Sequence, residues 1–180
     1  MQKIISIIIF LSIATLANSQ TNLLVGKNLE EIQKILDSAM QSRYFITVSD
    51  AQSVLEKPVH LKDSTYKYSG GVLRYSFDYV VSHVDSISKG KMFFSFEQYK
   101  NPETAKSIYQ SIKSENQKNN SVTALKDIGD DAFLQKDNLN QPFIFIIKGN
   151  EIFKLRVYYL TSQTSLEQLI LISKKVVSTH

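Results

Sequence analysis

The chain has 180 residues, of which 43% are hydrophobic and 21% charged, with no cysteine and a net charge of +4. This composition excludes a disordered or low-complexity chain, and the lack of cysteine excludes a disulfide framework, a thiolate metal cluster, a catalytic cysteine and a cysteine-linked lipid anchor. Lys and Arg exceed Asp and Glu by only 21 to 17, so we expect no nucleic-acid partner.

Residues 1–19 have the pattern of a secretory signal peptide. One cation, Lys3, precedes an apolar run from Ile4 to Leu16, and small residues follow at the positions that a signal peptidase reads. The run is about 13 residues long, whereas a membrane anchor, the alternative, needs roughly 20. We therefore expect cleavage before Gln20 and a secreted or periplasmic protein. The mature chain then has a net charge of +3, because the leader contains one cation and no acid. An exported chain without disulfides fits a bacterial source best.

After the leader, residues 20–45 are predicted to form an N-terminal segment with one helix, which Asn28 caps and which runs to about Met40. Residues 46–180 are predicted to form one domain. It opens with a short helix that begins at Ser49-Asp50 and is ended by Pro58.

A β-hairpin follows, with strands 64–69 and 72–81 around Gly70-Gly71. This loop sets Tyr66 opposite Tyr75 and Lys67 opposite Arg74. A buried aromatic face is indicated by the alternation of Leu73, Tyr75, Phe77, Tyr79 and Val81. Residues 82–90 are predicted to be a polar loop, and residues 91–98 a strand.

The next helix begins at Asn101-Pro102, a cap residue followed by proline at the first helical position. Residues 114–121 are predicted to be a polar connection. Two short strands, 122–127 and 131–136, then flank a turn at Ile128-Gly129-Asp130. A second hairpin has strands 142–148 and 151–160 around Gly149-Asn150, where glycine in the first position suits a type II′ turn.

The last helix begins at Thr164 or Ser165. Its apolar side is predicted to consist of Leu166, Leu169, Ile170, Val176 and Val177. Antiparallel hairpins separated by helices indicate an α+β fold, an antiparallel β-sheet built from hairpins with helices packed on one face.

Motifs that would support catalysis or metal binding are missing from the sequence. His60, His83 and His180 have no paired-histidine spacing, and Asp127, Asp130 and Asp131 lack the pattern of a calcium loop. Neither a nucleophile elbow nor a phosphate-binding loop occurs. The sequence therefore predicts a protein that is not an enzyme, without metal or cofactor. A loop site at His83 and Asp85 and an uncharacterised hydrolase remain less favoured alternatives.

The second hairpin contains the candidate binding site. Its turn places seven residues on one face. Two of them are isoleucines, and the other five form the candidate site: Phe143, Phe145, Lys154, Arg156 and Tyr158. Either a helix or the N-terminal segment covers this face, with the Lys and Arg stems lying over apolar surface, or the face is an exposed aromatic–cationic patch for an acidic or amphipathic partner.

Two stretches carry a resemblance to a known layout. One is the short helix at 48–59, which ends in proline. The other begins with the strand at 94–99, leads into a helix at Ala105, and continues through Ile128-Gly129-Asp130-Asp131-Ala132-Phe133 to the hairpin at Lys148-Gly149-Asn150. Over residues 46–178 the chain resembles small exported bacterial domains of unknown function that are similar in layout to PsbP-like and actinobacterial lipoprotein domains. The resemblance implies an antiparallel sheet with helices and no catalytic residues, while the missing anchor cysteine argues against membrane tethering.

Together these observations predict an exported, non-enzymatic binding or interaction module. Its expected partner is an envelope protein or an amphipathic or acidic ligand. An envelope-associated structural accessory protein is the alternative.

Overall fold

The computed structural model describes residues 46–82, 90–119, 121–139, 141–158 and 165–178. The chain divides into two compact units, Met1–Arg43 and Tyr44–His180, and the described residues belong to the second. The predictions for the signal peptide, for the helix from Asn28, for His83 and Asp85 and for His180 lie outside the described residues.

One antiparallel sheet organises this unit, in the strand order β1-β2-β3-β7-β6-β5-β4, which confirms the α+β class. The elements in chain order are α1 (Val48–Leu55), β1 (Val59–Ser69), β2 (Val72–Val81), β3 (Lys91–Gln98), α2 (Pro102–Asn119), β4 (Ser121–Leu125), β5 (Asp131–Lys136), β6 (Pro142–Lys148), β7 (Glu151–Tyr158) and α3 (Leu166–Ser178).

Both predicted hairpins form in the predicted register. Tyr66 lies opposite Tyr75, and Phe145 lies opposite Lys154. Gly70 and Gly71 have φ angles of 61° and 76°, as a type I′ turn requires. The hairpins join in the middle of the sheet through β3 and β7, where Phe94 lies opposite Leu155.

The first face of the sheet carries the aromatic alternation of β2 and the even-numbered residues of β3 and β6, and α1 and α3 pack on it. The Tyr79 hydroxyl donates to the Ile46 carbonyl at the start of α1. The Lys148 Nζ donates to the Val177 carbonyl near the end of α3, at 2.9 Å. Burial raises the pKa of Tyr79 from 10 to about 12.

The second face is covered by α2 over the half nearest β4, β5 and β6. Ala105 and Tyr109 of α2 are fully buried there, in a cluster with four sheet residues: Phe133, Phe145, Ile147 and Ile152. The helices therefore pack on both faces, and the expectation of helices on one face is wrong. The physical reason is that the second face also carries large apolar side chains, and their burial favours a cover.

Two helix predictions need correction. The segment 114–119 is the last part of α2 rather than a connection, where Glu115 pairs with Lys118 at 3.0 Å and Lys, Gln and Glu favour helix. In α3, Ile172 is buried with Leu169, Val176 and Val177, whereas Ile170 is only half-buried. The Ser165 hydroxyl caps α3 by accepting from the Gln168 amide at 3.1 Å.

Candidate functional site

The five predicted site residues share the second face, but they differ in what covers them. Phe145 is 5% exposed because it lies in the cluster under α2. Its ring centroid is 4.0 Å from that of Phe143, which is half-buried at the margin of the cluster. A helix thus covers Phe145, whereas Phe143, Lys154, Arg156 and Tyr158 are only partly buried.

Lys154 belongs to a polar network centred on Glu97 of β3. The Lys154 Nζ lies 3.0 Å from Glu97 Oε1, the Arg74 Nε lies 3.4 Å from the same oxygen, and the Tyr99 hydroxyl donates to Glu97 Oε2 at 2.6 Å. Burial alone would raise the pKa of Glu97, but the Tyr99 hydroxyl and the two cations outweigh it and hold this pKa below its usual value. Lys154, 19% exposed, is therefore tied to Glu97.

Beside this network lies a group that we call the Arg156 patch: Phe143, Arg156, Tyr158 and Lys91. The Arg156 guanidinium carbon is 4.4 Å from the centroid of the Tyr158 ring and 5.4 Å from that of Phe143. The Lys91 Nζ is 5.3 Å from the Tyr158 centroid. These distances lie within the range of cation–π attraction, so the cationic groups and the rings hold one another in place.

The turn between β5 and β6 holds the Arg156 guanidinium in place through Asp137. Asp137 Oδ2 accepts from Arg156 Nη2 at 3.0 Å, and Asp137 Oδ1 accepts from the Leu139 and Gln141 amides at 2.9 Å each. Burial would raise the pKa of Asp137, but the two amides and Arg156 outweigh it and lower this pKa. The turn presents Leu139, which is 74% exposed, next to the patch.

The charges on this part of the face are balanced. Arg74 and Lys154 pair with Glu97, Lys91 pairs with Asp78 at 3.0 Å, and Arg156 pairs with Asp137 at 3.0 Å. An anion would have to compete with carboxylates that already occupy these cations.

Sequence reasoning missed Lys91, Asp78, Asp137 and Leu139. The pairing of β3 with β7 brings Lys91 beside Tyr158, and no local turn encodes that pairing. The alternation of Lys91, Phe93, Ser95 and Glu97 was the available signal, since three of these four residues are polar and lie on the face of β3 opposite Met92, Phe94 and Phe96.

The acidic residues near Gly129 have structural roles. Asp130 Oδ2 accepts from the Gly149 amide at 2.6 Å, and Asp131 Oδ2 pairs with Lys113 Nζ at 2.6 Å. Gly129 has a φ of +60°, and a Cβ there would lie 2.5 Å from the Ile147 carbonyl oxygen. The Gly-Asp-Asp-Ala segment thus fastens the turn before β5 to the β6–β7 hairpin.

Two other titratable side chains of the described ranges are His60 and Glu151. His60 is exposed, with its Nδ1 3.3 Å from the Ser82 hydroxyl oxygen. Burial raises the pKa of Glu151, which accepts from Gln98 Nε2 at 3.2 Å. Within these ranges no group of three His, Asp or Glu residues is placed to hold a metal ion, and none of the helices is long and apolar enough to cross a membrane.

Comparison with known proteins found no match to a family model, a curated protein or a solved structure. The resemblance to PsbP-like domains therefore stays a prediction, and the proposals below rest on the geometry described above.

Proposed function

We propose that this protein is an exported, non-enzymatic interaction module that binds an amphipathic segment of a protein partner through the Arg156 patch. The observation that carries the proposal is the position of the Arg156 guanidinium between the Phe143 and Tyr158 rings, fixed by Asp137. This group is partly exposed on the half of the second face that α2 does not cover.

The composition of the patch supports a protein partner. Tyr, Phe and Arg are enriched at protein interfaces and supply most of the residues whose truncation costs binding energy. Ordering a side chain on binding costs free energy. Because the rings and Asp137 already hold Arg156, that cost is reduced here. The patch is thus prepared for binding before a partner arrives.

The surroundings of the patch support an amphipathic occupant. Leu139 adds an exposed apolar side chain on one side, while the pair Lys91–Asp78 lies on the other. A segment with an apolar ridge flanked by charges of both signs would contact the rings and Leu139. Its charges could then bond to the outer atoms of the ion pairs without breaking them.

The proposal that the module is not an enzyme is supported by the roles of its polar groups. The partly buried carboxylate of Glu97 is bonded to Tyr99, Lys154 and Arg74. Among the described residues, the one histidine is exposed and lies beside Ser82 rather than beside a carboxylate. General acid–base chemistry would need a group within hydrogen-bond reach of a substrate and with a suitable pKa.

Site-specific photo-crosslinking tests the proposal. A photoreactive amino acid replaces Leu139 beside the patch or, as a control, Leu171, which is 50% exposed on α3 at the first face. Both variants are expressed in the source cell with their own leader and irradiated there. We expect a single discrete adduct from position 139 and none of the same mass from position 171.

Three results would count against the proposal. The first is equal labelling at both positions, which indicates random collisions. The second is an adduct at position 139 with the mass of two copies of this chain, which indicates self-association in place of a different partner. Small-molecule turnover that disappears with Arg156→Ala would favour the enzyme alternative.

A further inference from the structure

The sheet ends in two different edges. β4 has 5 residues, whereas β1 has 11, and in the described part of the chain β1 pairs with β2 and with no second strand. Residues 62–65 and 67–69 of β1 are exposed. A long edge strand offers unpaired backbone groups to another strand, which proteins usually prevent with charges, prolines or bulges. The bulge of β1 lies between Leu61 and Asp63, so residues 63–69 stay regular.

Within one copy, the charged side chains of residues 63–69 lie opposite like charges on β2. Asp63 lies opposite Asp78, and Lys67 lies opposite Arg74. Asp78 and Arg74 obtain counter-ions from β3, namely Lys91 at 3.0 Å and Glu97 at 3.4 Å. Asp63 and Lys67 form no ion pair with any residue of the described ranges. Like charges directly opposite one another are destabilising. Asp63 and Lys67 of this edge therefore lack oppositely charged partners within one copy.

We propose that β1 pairs antiparallel with β1 of a second copy of this chain, about a twofold axis that passes through Thr65. This register sets Asp63 opposite Lys67 of the second copy, and it does so twice because the interface is isologous. Both residues lie on the second face, since alternate residues of a strand share a face. On the first face, Ser64 lies opposite Tyr66 of the second copy.

Charge complementarity selects this register among those that an antiparallel pair allows. An axis through Ser64 sets Asp63 opposite Thr65, and an axis through Tyr66 sets it opposite Ser69. Axes through Asp63 or Lys67 would set identical charges opposite each other. Of these five axes, that through Thr65 joins opposite charges. The proposal rests on β1 and does not depend on the function proposed for the Arg156 patch.

A disulfide trap tests the register. The chain has no cysteine, so a single introduced cysteine can form a disulfide only between two copies. Thr65→Cys places two sulfurs across the axis, where directly opposite Cβ atoms are about 4.5–5.5 Å apart, close to what a disulfide requires. Ser69→Cys on the same strand and Thr123→Cys on β4 are the controls. We expect covalent dimers from Thr65→Cys under mild oxidation, well above both controls. Equal yields would overturn the proposal.

Charge reversal in the full chain tests the complementarity. Asp63→Lys and Lys67→Asp each set like charges opposite one another in the dimer, yet each improves the pairing with Asp78 or Arg74 inside one copy. We expect either variant to weaken self-association about ten-fold in sedimentation equilibrium, without lowering the thermal stability of the monomer. The double variant should restore self-association.

A monomeric chain over the whole concentration range would overturn the proposal. So would a double variant that stays as weak as the single ones.

Discussion

A single carboxylate, that of Glu97, determines the charge balance of the second face. It accepts from the Tyr99 hydroxyl and pairs with Lys154 and Arg74. Its pKa lies below the usual 4.5 in the folded chain. A lowered carboxyl pKa contributes stability that is complete above the unfolded pKa and is lost as the pH falls through the folded pKa.

Glu97→Gln is expected to reduce the free energy of unfolding at pH 7 by about 1.5–3 kcal/mol, the range for hydrogen bonds to charged groups. The difference from the unaltered chain should shrink below about pH 4.5, because protonated Glu97 resembles glutamine. Urea unfolding at pH 7 and pH 3 measures both values. Glu115→Gln is the control, since its ion pair is exposed and should contribute less than about 1 kcal/mol. A difference that is independent of pH would contradict this account.

Gly129 and Gly71 separate two reasons for glycine. Both have positive φ, but a Cβ at position 129 would meet the Ile147 carbonyl oxygen and the Ile146 side chain, whereas position 71 has nothing within 4 Å. Gly71→Ala should cost on the order of 1 kcal/mol from backbone strain. Gly129→Ala should cost a further 1–3 kcal/mol, approximately, because the strands must shift. Thermal or urea unfolding of both variants measures the difference, and equal costs would refute the close packing at Gly129.

At the scale of elements, α2 determines which half of the second face is buried. Asn101 begins it, since the Asn101 Oδ1 accepts from the Thr104 amide at 2.9 Å. Asn101→Ala should lower the free energy of unfolding by about 1 kcal/mol, whereas Asn101→Asp should retain most of the stability that the cap contributes. Urea unfolding checks both substitutions. If both variants were equally unstable, Asn101 would not stabilise α2 through its capping hydrogen bond.

Elements encoded by neighbouring residues could be predicted from the sequence. Gly70-Gly71 and Gly149-Asn150 determined two hairpin registers, because a two-residue loop leaves each strand one way to pair. The start of α2 could likewise be predicted, from Asn101-Pro102. Its end was not, since residues 114–119 are polar and the helix there depends on side-chain pairs such as Glu115 with Lys118.

Relations between distant elements could not be predicted in this way. Nothing local specifies that Lys91 lies opposite Tyr158 or that Tyr109 of α2 packs on Phe133. These two relations decide which predicted site residues are covered. Phe145 was therefore placed on the correct face and a covering helix was one of the two interpretations, but nothing in the sequence specified that α2 covers Phe145 and leaves Arg156 partly exposed.

At the scale of the molecule, as far as the structure describes it, the second face has a buried half under α2 and a partly buried half that α2 does not cover, which we call the open half. The buried half holds the apolar cluster under α2. The open half holds the Glu97 network and the Arg156 patch, and it extends to the exposed edge at β1. Pairing of β1 about Thr65 would join the open halves of two copies on one continuous sheet. A partner with two binding segments would then gain affinity from the shared platform.

The adduct formed from position 139 in variants of Arg156 tests the central claim most directly. Arg156→Ala removes the guanidinium between the rings, and Arg156→Lys keeps the charge beside Asp137 without the planar group. Ile108→Ala, at an exposed position of α2, is the matched control, and circular dichroism verifies that each variant is folded. We predict that the adduct yield falls about ten-fold with Arg156→Ala, as for a central interface residue, falls less with Arg156→Lys, and is unchanged with Ile108→Ala. An unchanged yield with folded Arg156→Ala would contradict the account.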